Sequence, residues 1–536
     1  FQSDNLGQSW QAISPDLTQN DASRMGPSGG PITKDNTSVE YYGTIFALAE
    51  SHHEAGVIWA GSDDGRVHVT RDGGDTWADV TPPDMPEWAQ VNSLDVHPAE
   101  EGGVYLAATR YKSDDFSPYL FRTTDWGKSW TRIDSGIPDG HFTRALRADP
   151  ERSGLLYAGT ERGAYYTADD GQSWARLQLN LPIVPITDLA VKDGNLVAAT
   201  QGRGYWILDD LAVLRQADES NAAKAMHLYT PEAAYRLVAG GRADEPGNNG
   251  TNPYTGVSIF YSLAEDLPDS EELTLEIFAA GSADAIWTWT RQAEGDDEEE
   301  SEDGSPETRV LETSEGLNRY VWDLRYPPMA RFDDLILWID NEEGPEAVPG
   351  QYRARLTLGE NVEEVEFEVL PDPRSTVTAD DYRAQFDFLL STRDLLTETH
   401  NEITRIRALR GQLESVQGRL DPDATQAAAT LDAKISEVLD TITSIEEALY
   451  QTQNQSRQDP LNYPIRLNNK LSSLFQTVAL GHGRPTDQAI AVRDDLSADV
   501  RRELESLQYV WTTGVPELNQ LIDAAGMSLL TVPDPL

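Results

Sequence analysis

TRDGGDTW at Thr70–Trp77, TTDWGKSW at Thr123–Trp130 and TADDGQSW at Thr167–Trp174 share one pattern, Ser/Thr-x-Asp-x-Gly-x-x-Trp. A fourth copy, SDNLGQSW from Ser3 to Trp10, carries Asn5 where the aspartate stands elsewhere. Physically this is a folded turn. The acidic side chain accepts hydrogen bonds from nearby backbone N–H groups, and the glycine allows positive φ. The tryptophan then anchors the hairpin between neighbouring sheets. The positions in question are Asn5, Gly7 and Trp10; Asp72, Gly74 and Trp77; Asp125, Gly127 and Trp130; Asp169, Gly171 and Trp174. Catalysis or metal binding by the three aspartates is the sharper reading. Repetition in every unit fits hairpin building better, and that is the expectation.

Working outward, each motif sits inside four short runs of alternating, β-branched-rich sequence broken by Gly, Asp and Pro. In one unit these are GTIFALAES (43–51), VIWAGSDD (57–64), RVHVTRD (66–72) and WADVTPP (77–83). The next unit has VNSLDVHPA, GVYLAATR, YLFRTTD and WTRIDSG, and the third has TRALRADP, LLYAGTER, AYYTADD and WARLQLN. A further unit, ITDLAVKD then NLVAATQGRGYWILDD, keeps the strands and loses the motif. Four strands per unit, recurring about every 40–50 residues, is the signature of β-propeller blades. Residues 1–215 are therefore expected to be blades, the C-terminal portion of a larger propeller.

These residues resemble the Asp-box (BNR-like) repeat proteins, a class shared by sialidases, sortilin-type receptors and two-propeller xyloglucanases. SGGPITKDN (28–36), YYGTIFALAES, WAGSDDGRVHVTRDGG, ATQGRGYWILDDL and DPRSTVTADDYRAQFDFLL look like large bacterial exported proteins labelled "glycosyl hydrolase" or "sortilin-like, BNR repeat-containing". The resemblance implies an extracellular, periplasmic or cell-surface location. It also implies an N-terminal propeller portion, or another chain, that completes the ring. Closure by the present units alone is the alternative. The apolar faces of blades need covering neighbours in either case. The cysteine-rich stretch that follows the propeller in sortilin-type receptors is replaced here by cysteine-free sequence, a departure that weakens the implication of a receptor function.

Beyond the blades, residues 226–372 read as an antiparallel β-sandwich of immunoglobulin or fibronectin type, from runs such as GVSIFYSLAE, ELTLEIFAA, AIWTWTRQ, LNRYVWDLRY, QYRARLTLG and VEEVEFEVL. An acidic insertion, 294–307, interrupts it. A structural calcium ion can be imagined there, but EF-hand spacing is absent and a solvated hairpin tip is expected. Residues 376–527 read as a helical bundle or long hairpin, opened by the capping signal Thr378-x-x-Asp381. The fold class is thus mainly β with an α domain.

Length and composition bound the function. The 536 residues imply several domains, and 39% hydrophobic content with 13 tryptophans supports packed cores. A net charge of −49 repels phosphate backbones and anionic headgroups, so nucleic acid is not an expected partner. No apolar run reaches the length of a membrane span, so membrane insertion is not expected. There is no cysteine, which excludes disulfides, zinc–thiolate sites and thiol nucleophiles. The eight histidines form no zincin pair, and phosphate loops and serine-hydrolase elbows are missing. No metal site and no cofactor are expected.

Blade topology says where ligands would lie. The Asp-box joins the third and fourth strands at one end of the blade, whereas the turn between the second and third strands lies at the other end. Those latter turns carry Ser62-Asp63-Asp64, Arg110-Tyr111-Lys112 extended to Asp114 and Asp115, Glu161-Arg162, and Gln201-Gly202-Arg203. Arg110, Tyr111, Lys112, Glu161, Arg162 and Arg203 suit binding of a polysaccharide or peptide by guanidinium pairing and aromatic stacking. Asp63, Asp64, Asp114 and Asp115 are the carboxylates that glycosidic cleavage would use, one as acid and one as base or nucleophile. Equally, they can be plain turn and loop residues. The expected function is a binding or scaffold protein recognising a glycan, peptide or protein, with a glycoside hydrolase of xyloglucanase or sialidase type as the alternative.

Overall fold

A computed structural model describes residues 1–35, 41–237, 252–268, 270–290, 311–338, 343–423, 425–481, 483–525 and 530–532. The acidic insertion 294–307 and Asn36, the last residue of the stretch 28–36, lie outside them. The chain divides into two compact units, Phe1–Asp218 and Glu219–Leu536.

The first unit is a stack of blades. Three four-stranded antiparallel sheets follow one another, each a simple meander: Ile45–Glu50, Ile58–Ser62, Val67–Thr70 and Ala78–Asp79; Gln90–Val96, Val104–Arg110, Asp115–Thr123 and Thr131–Arg132; Thr143–Ala148, Leu156–Thr160, Gly163–Thr167 and Ala175–Leu177. A fourth sheet, Ile186–Lys192, Asn195–Thr200 and Tyr205–Leu208, has three strands. Each first strand carries a bulge at the same place, between Ile45 and Ala47, Val91 and Ser93, Thr143 and Ala145, and Ile186 and Asp188. A bulge adds local twist, which suits strands lying nearest a common axis.

The three Asp-box turns are built identically. Asp72 accepts from the Thr76 N–H (2.9 Å) and hydroxyl (2.6 Å), while Thr70 Oγ1 accepts from Gly74 N (2.9 Å). Asp125 with Ser129, and Asp169 with Ser173, repeat the 2.9 and 2.6 Å bonds. At the fourth copy Asn5 Oδ1 accepts from Ser9 N (2.9 Å), and its amide Nδ2 now donates to Ser9 Oγ (2.9 Å). The turn survives the change because one oxygen suffices for the backbone bond.

Each box also ties its blade to the preceding one. The Trp77 indole N–H donates to Ile13 O (2.8 Å), Trp130 to Val80 O (2.7 Å) and Trp174 to Ile133 O (2.5 Å). Every acceptor stands three residues after the tryptophan of the preceding box. The box glycines allow this approach. A Cβ on Gly127 would lie 2.5 Å from Val80 Cβ, and one on Gly171 2.7 Å from Ile133 Cβ.

In the second unit, two sheets enclose one core. A three-stranded sheet holds Met226–Leu228, Val257–Leu263 and Gly316–Trp322. A five-stranded sheet runs in the order Ala234–Arg236, Asn361–Pro371, Gly350–Leu358, Leu273–Ala279, Ala285–Thr290, its first pair parallel. Tyr261, Ile277, Trp322, Ala354 and Phe367 are buried between them. Helices follow at Ala379–Gln417, Gln426–Leu449, Leu467–Ala479, Asp487–Tyr509 and Val515–Ala524. The first begins with a complete capping box between Thr378 and Asp381. The last two are joined by a π turn, Val510–Gly514. Met329, Phe332, Leu335 and Leu337, from the connection between two sheet strands, are buried in the helical core with Ile403, Ile442, Leu507 and Leu518. The sheets and helices of this unit therefore share packing. His400 is buried there too, facing Ala330 O (2.6 Å) and Asn468 (3.2 Å). No described helix is long and apolar enough to cross a membrane.

Candidate functional site

The turns between second and third strands all emerge at the end of the stack opposite the Asp-boxes, because the strands of each meander alternate in direction. Asp63 and Asp64 occupy the first turn and are buried. Asp63 Oδ1 accepts from the N–H groups of Gly43 and Thr44, both at 2.9 Å. Asp64 accepts from the Ser62 hydroxyl (2.5 Å) and from Gln19 N (2.7 Å). These carboxylates pin the chain entering the first strand and the loop before it.

The second turn holds a more open set. Arg110 donates from Nε to Glu87 O (2.9 Å) and lies 3.6 Å from Asp115. Burial raises the Asp115 pKa, but the Tyr119 hydroxyl (2.7 Å), the Ser117 N–H and Arg110 outweigh it and hold the carboxyl below its ordinary range. Asp115 is thus ionised at neutral pH and does not serve as a general acid there. Asp114 is exposed, in the left-handed region at φ 61°, closing a short 3-10 turn. Lys112 donates to Gln90 Oε1 (2.9 Å).

Tyr111 stacks on Phe142, with centroids 5.0 Å apart and planes 17° apart, and Phe116 adjoins the same ring at 6.1 Å. The Arg144 guanidinium lies 5.5 Å from the Tyr111 ring and 5.1 Å from Phe142, and Glu161 binds it at 2.6 Å. Beside Glu87, Trp88 meets Tyr42 at 5.0 Å and the Arg24 guanidinium at 5.0 Å. Burial, then the charge of Asp63, raises the Tyr42 pKa, so its hydroxyl remains a neutral donor. Two aromatic–arginine clusters thus stand side by side, joined through Arg110. Arg162 and Arg203 are exposed on the third and fourth turns.

Of the residues expected from sequence, Arg110, Tyr111, Glu161 and Asp115 fall within this cluster. Asp63 and Asp64 sit at its base, and Arg203 lies on a separate blade turn, where it donates to Gly202 O (3.0 Å). Sequence reasoning missed Arg24, Tyr42, Trp88, Phe142 and Arg144. The available signal was an aromatic within three residues upstream of the first three bulges: Tyr42 before Ile45, Trp88 before Val91, Phe142 before Thr143; the fourth, at Ile186, has none.

A second feature was also missed. Near the far ends of the first strands lies a cleft of about 420 Å³, lined among others by Glu50, His52, Asp95 and Arg147. Burial pushes the Asp95 pKa up against the opposing Ala148 N–H (2.7 Å) and the charge of Arg147. Arg147 is itself engaged by Asp188 at 2.7 Å and Ser93 at 2.6 Å. Among the described residues, no group of three or more His, Asp or Glu is placed to hold a metal ion.

No family model matches this chain, and no curated protein matches it. Solved structures do. A structure of YCF48 bound to D1 peptide matches at 22% identity and a TM-score of 0.25, covering 31% of this chain and 51% of that one. The GH74 xyloglucanase from Xanthomonas campestris matches at 19% identity and 0.28, over 35% and 30% of the two chains. PorZ, a bacterial surface component of the type-IX secretion system of Porphyromonas gingivalis, matches at 12% and 0.26, over 61% and 45%. The chain spans about half the length of the YCF48 protein it matches. Likeness at this level assigns neither ligand nor activity.

Proposed function

We propose that this is an exported binding protein whose aromatic–arginine turn face recognises an extended glycan or peptide. The supporting observation is the pair of clusters Trp88–Tyr42–Arg24 and Tyr111–Phe142–Arg144 at one end of the blades, where half-buried Trp88, Tyr42 and Tyr111 lie nearest the surface and buried Phe142 backs Tyr111. Flat rings take sugar faces or planar peptide groups, and guanidinium groups supply fixed donors. Binding is preferred over hydrolysis because Asp63, Asp64 and Asp115 are committed to turn hydrogen bonds. The two-sheet region is read as an immunoglobulin- or fibronectin-type accessory module, and the helices as an assembly element.

The test is a glycan and peptide array probed with the chain, Trp88→Ala and Tyr111→Ala. Each substitution should weaken the best hit about tenfold, equivalent to about 1.4 kcal/mol, without lowering Tm. Sugar release from xyloglucan or a sialoside that disappears in Asp64→Asn would replace this reading with glycoside hydrolysis.

A further inference from the structure

Acidic residues outnumber lysine and arginine by 91 to 42, so a guanidinium in this chain readily meets a carboxylate. On the turn face Arg110 has Asp115 and Arg144 has Glu161. Arg162 and Arg176, at the same end of the third blade, are exposed and pair with no carboxylate among the described residues.

Strand register brings these two together. Arg176 stands opposite Tyr165 across the third and fourth strands, and Arg162 lies in the turn that opens the third. Arg176 donates from Nη2 to Arg162 O (3.5 Å) and from Nε to Gln178 Oε1 (3.1 Å), while Gln178 is itself held by Pro182 O (3.0 Å). The loop before the blade adds His141, whose Nδ1 lies 2.8 Å from the hydroxyl of buried Tyr165. Burial, then Arg162 and Arg176, lower the His141 pKa, and no carboxylate acts on it. Burial raises the Tyr165 pKa, and the one charge acting on that hydroxyl is again Arg176. Two guanidinium groups and an imidazole thus face one another with their repulsion unrelieved. A braced set of cations of this kind is suited to receive negative charge.

We infer that Arg162, Arg176 and His141 form an oxyanion site for a sulfate ester carried on a sugar, an inference that rests on the turn face being a binding site. The donors come from a turn, a strand and a loop, and so suit a group with three outward oxygens better than a two-oxygen carboxylate. Single charges spaced along an otherwise neutral glycan also suit a protein whose net charge of −49 repels dense polyanions. Phe142, the residue after His141, stacks with Tyr111 and so places a flat face beside the charge for the sugar that bears it.

The test reads binding against pH. An anion beside His141 raises its pKa in the complex above the lowered value of the free protein, so the sulfated ligand binds more tightly as pH falls through that interval. Calorimetry compares a carrageenan oligosaccharide with its desulfated form, from about pH 8 to about pH 5. The sulfated form should bind about tenfold more tightly, with the gap widening towards low pH. Arg162→Gln and, separately, Arg176→Gln should close the gap without changing Tm or the affinity for the desulfated form. His141→Gln should abolish the widening and leave the gap at the alkaline end. Equal affinity for the two forms, binding of neither, a gap that survives both arginine substitutions, or tighter binding of an oligogalacturonate or a phosphoserine peptide overturns the inference. Trp88→Ala tests the turn-face reading separately, since it should weaken both forms alike. If it weakens neither, that reading fails, while the sulfate preference stands or falls on the two arginines.

Discussion

Substituting alanine for Gly127 and for Gly7 separates two reasons for a box glycine. Gly127 has φ +74°, and an added Cβ would sit 2.5 Å from Val80 Cβ and 3.0–3.1 Å from both Val80 methyls. Gly7 has φ +83°, but its nearest neighbour would be the Trp10 ring at 3.6 Å, an ordinary contact. Left-handed backbone costs alanine about 1–2 kcal/mol, and overpacking a tight contact adds about 1–3 kcal/mol. Gly127→Ala should therefore cost about 2–5 kcal/mol and Gly7→Ala no more than about 1–2 kcal/mol. For a unit of this size the first corresponds to a Tm drop on the order of 10 °C. Urea unfolding followed by hydrogen exchange of the blade strands reads this unit separately from the helices. Equal costs for the two variants, within about 0.5 kcal/mol, would show that backbone sign alone explains the glycine and that the blade-to-blade approach is unimportant.

Three further outcomes are expected. Hydrogen bonds from the Thr76 hydroxyl and N–H, then from Thr70, hold the Asp72 pKa down to about 2 from its ordinary 3.8. Because the folded value is depressed, its stabilisation is present above about pH 4 and is lost as pH falls towards 2. Asp72→Asn, which copies the natural Asn5 turn, should flatten the acid limb of a stability–pH profile. An unchanged limb would remove the box aspartates from that account. Trp77→Phe deletes the 2.8 Å bond to Ile13 O and should cost about 1–2 kcal/mol, read by increased exchange in residues 2–13; unaltered exchange there would discount the tie. Glu446, 2% exposed, accepts from Arg407 (2.9 Å) and Arg410 (2.6 Å). Glu446→Ala should cost about 3–5 kcal/mol in the helical region, and a loss below about 1 kcal/mol would show those arginines to be well solvated without it.

The box turns were legible because every bond that closes them lies within eight consecutive residues, so local chemistry suffices. The same holds for the Thr378–Asp381 cap and for the alternating strands. The motif-free fourth blade was legible too, from its strand pattern alone, although its turn residues Gln201–Arg203 gave no hint of how few strands follow. The turn face was legible in part. Arg110 and Tyr111 lie in the turns that topology marks out, whereas Arg24, Trp88, Phe142 and Arg144 arrive from other blades and loops.

Sequence by itself determined the repeat, the strand order within each blade and the sites of the turns, since these depend on neighbours a few residues apart. Tertiary structure alone decided which carboxylates are occupied. Asp64 looks free in a turn until Gln19, 45 positions away, takes its second oxygen. It also decided that Leu48 is bare while Leu94, Leu146 and Leu189 are covered, because burial depends on what another sheet presents and not on the residue's own strand.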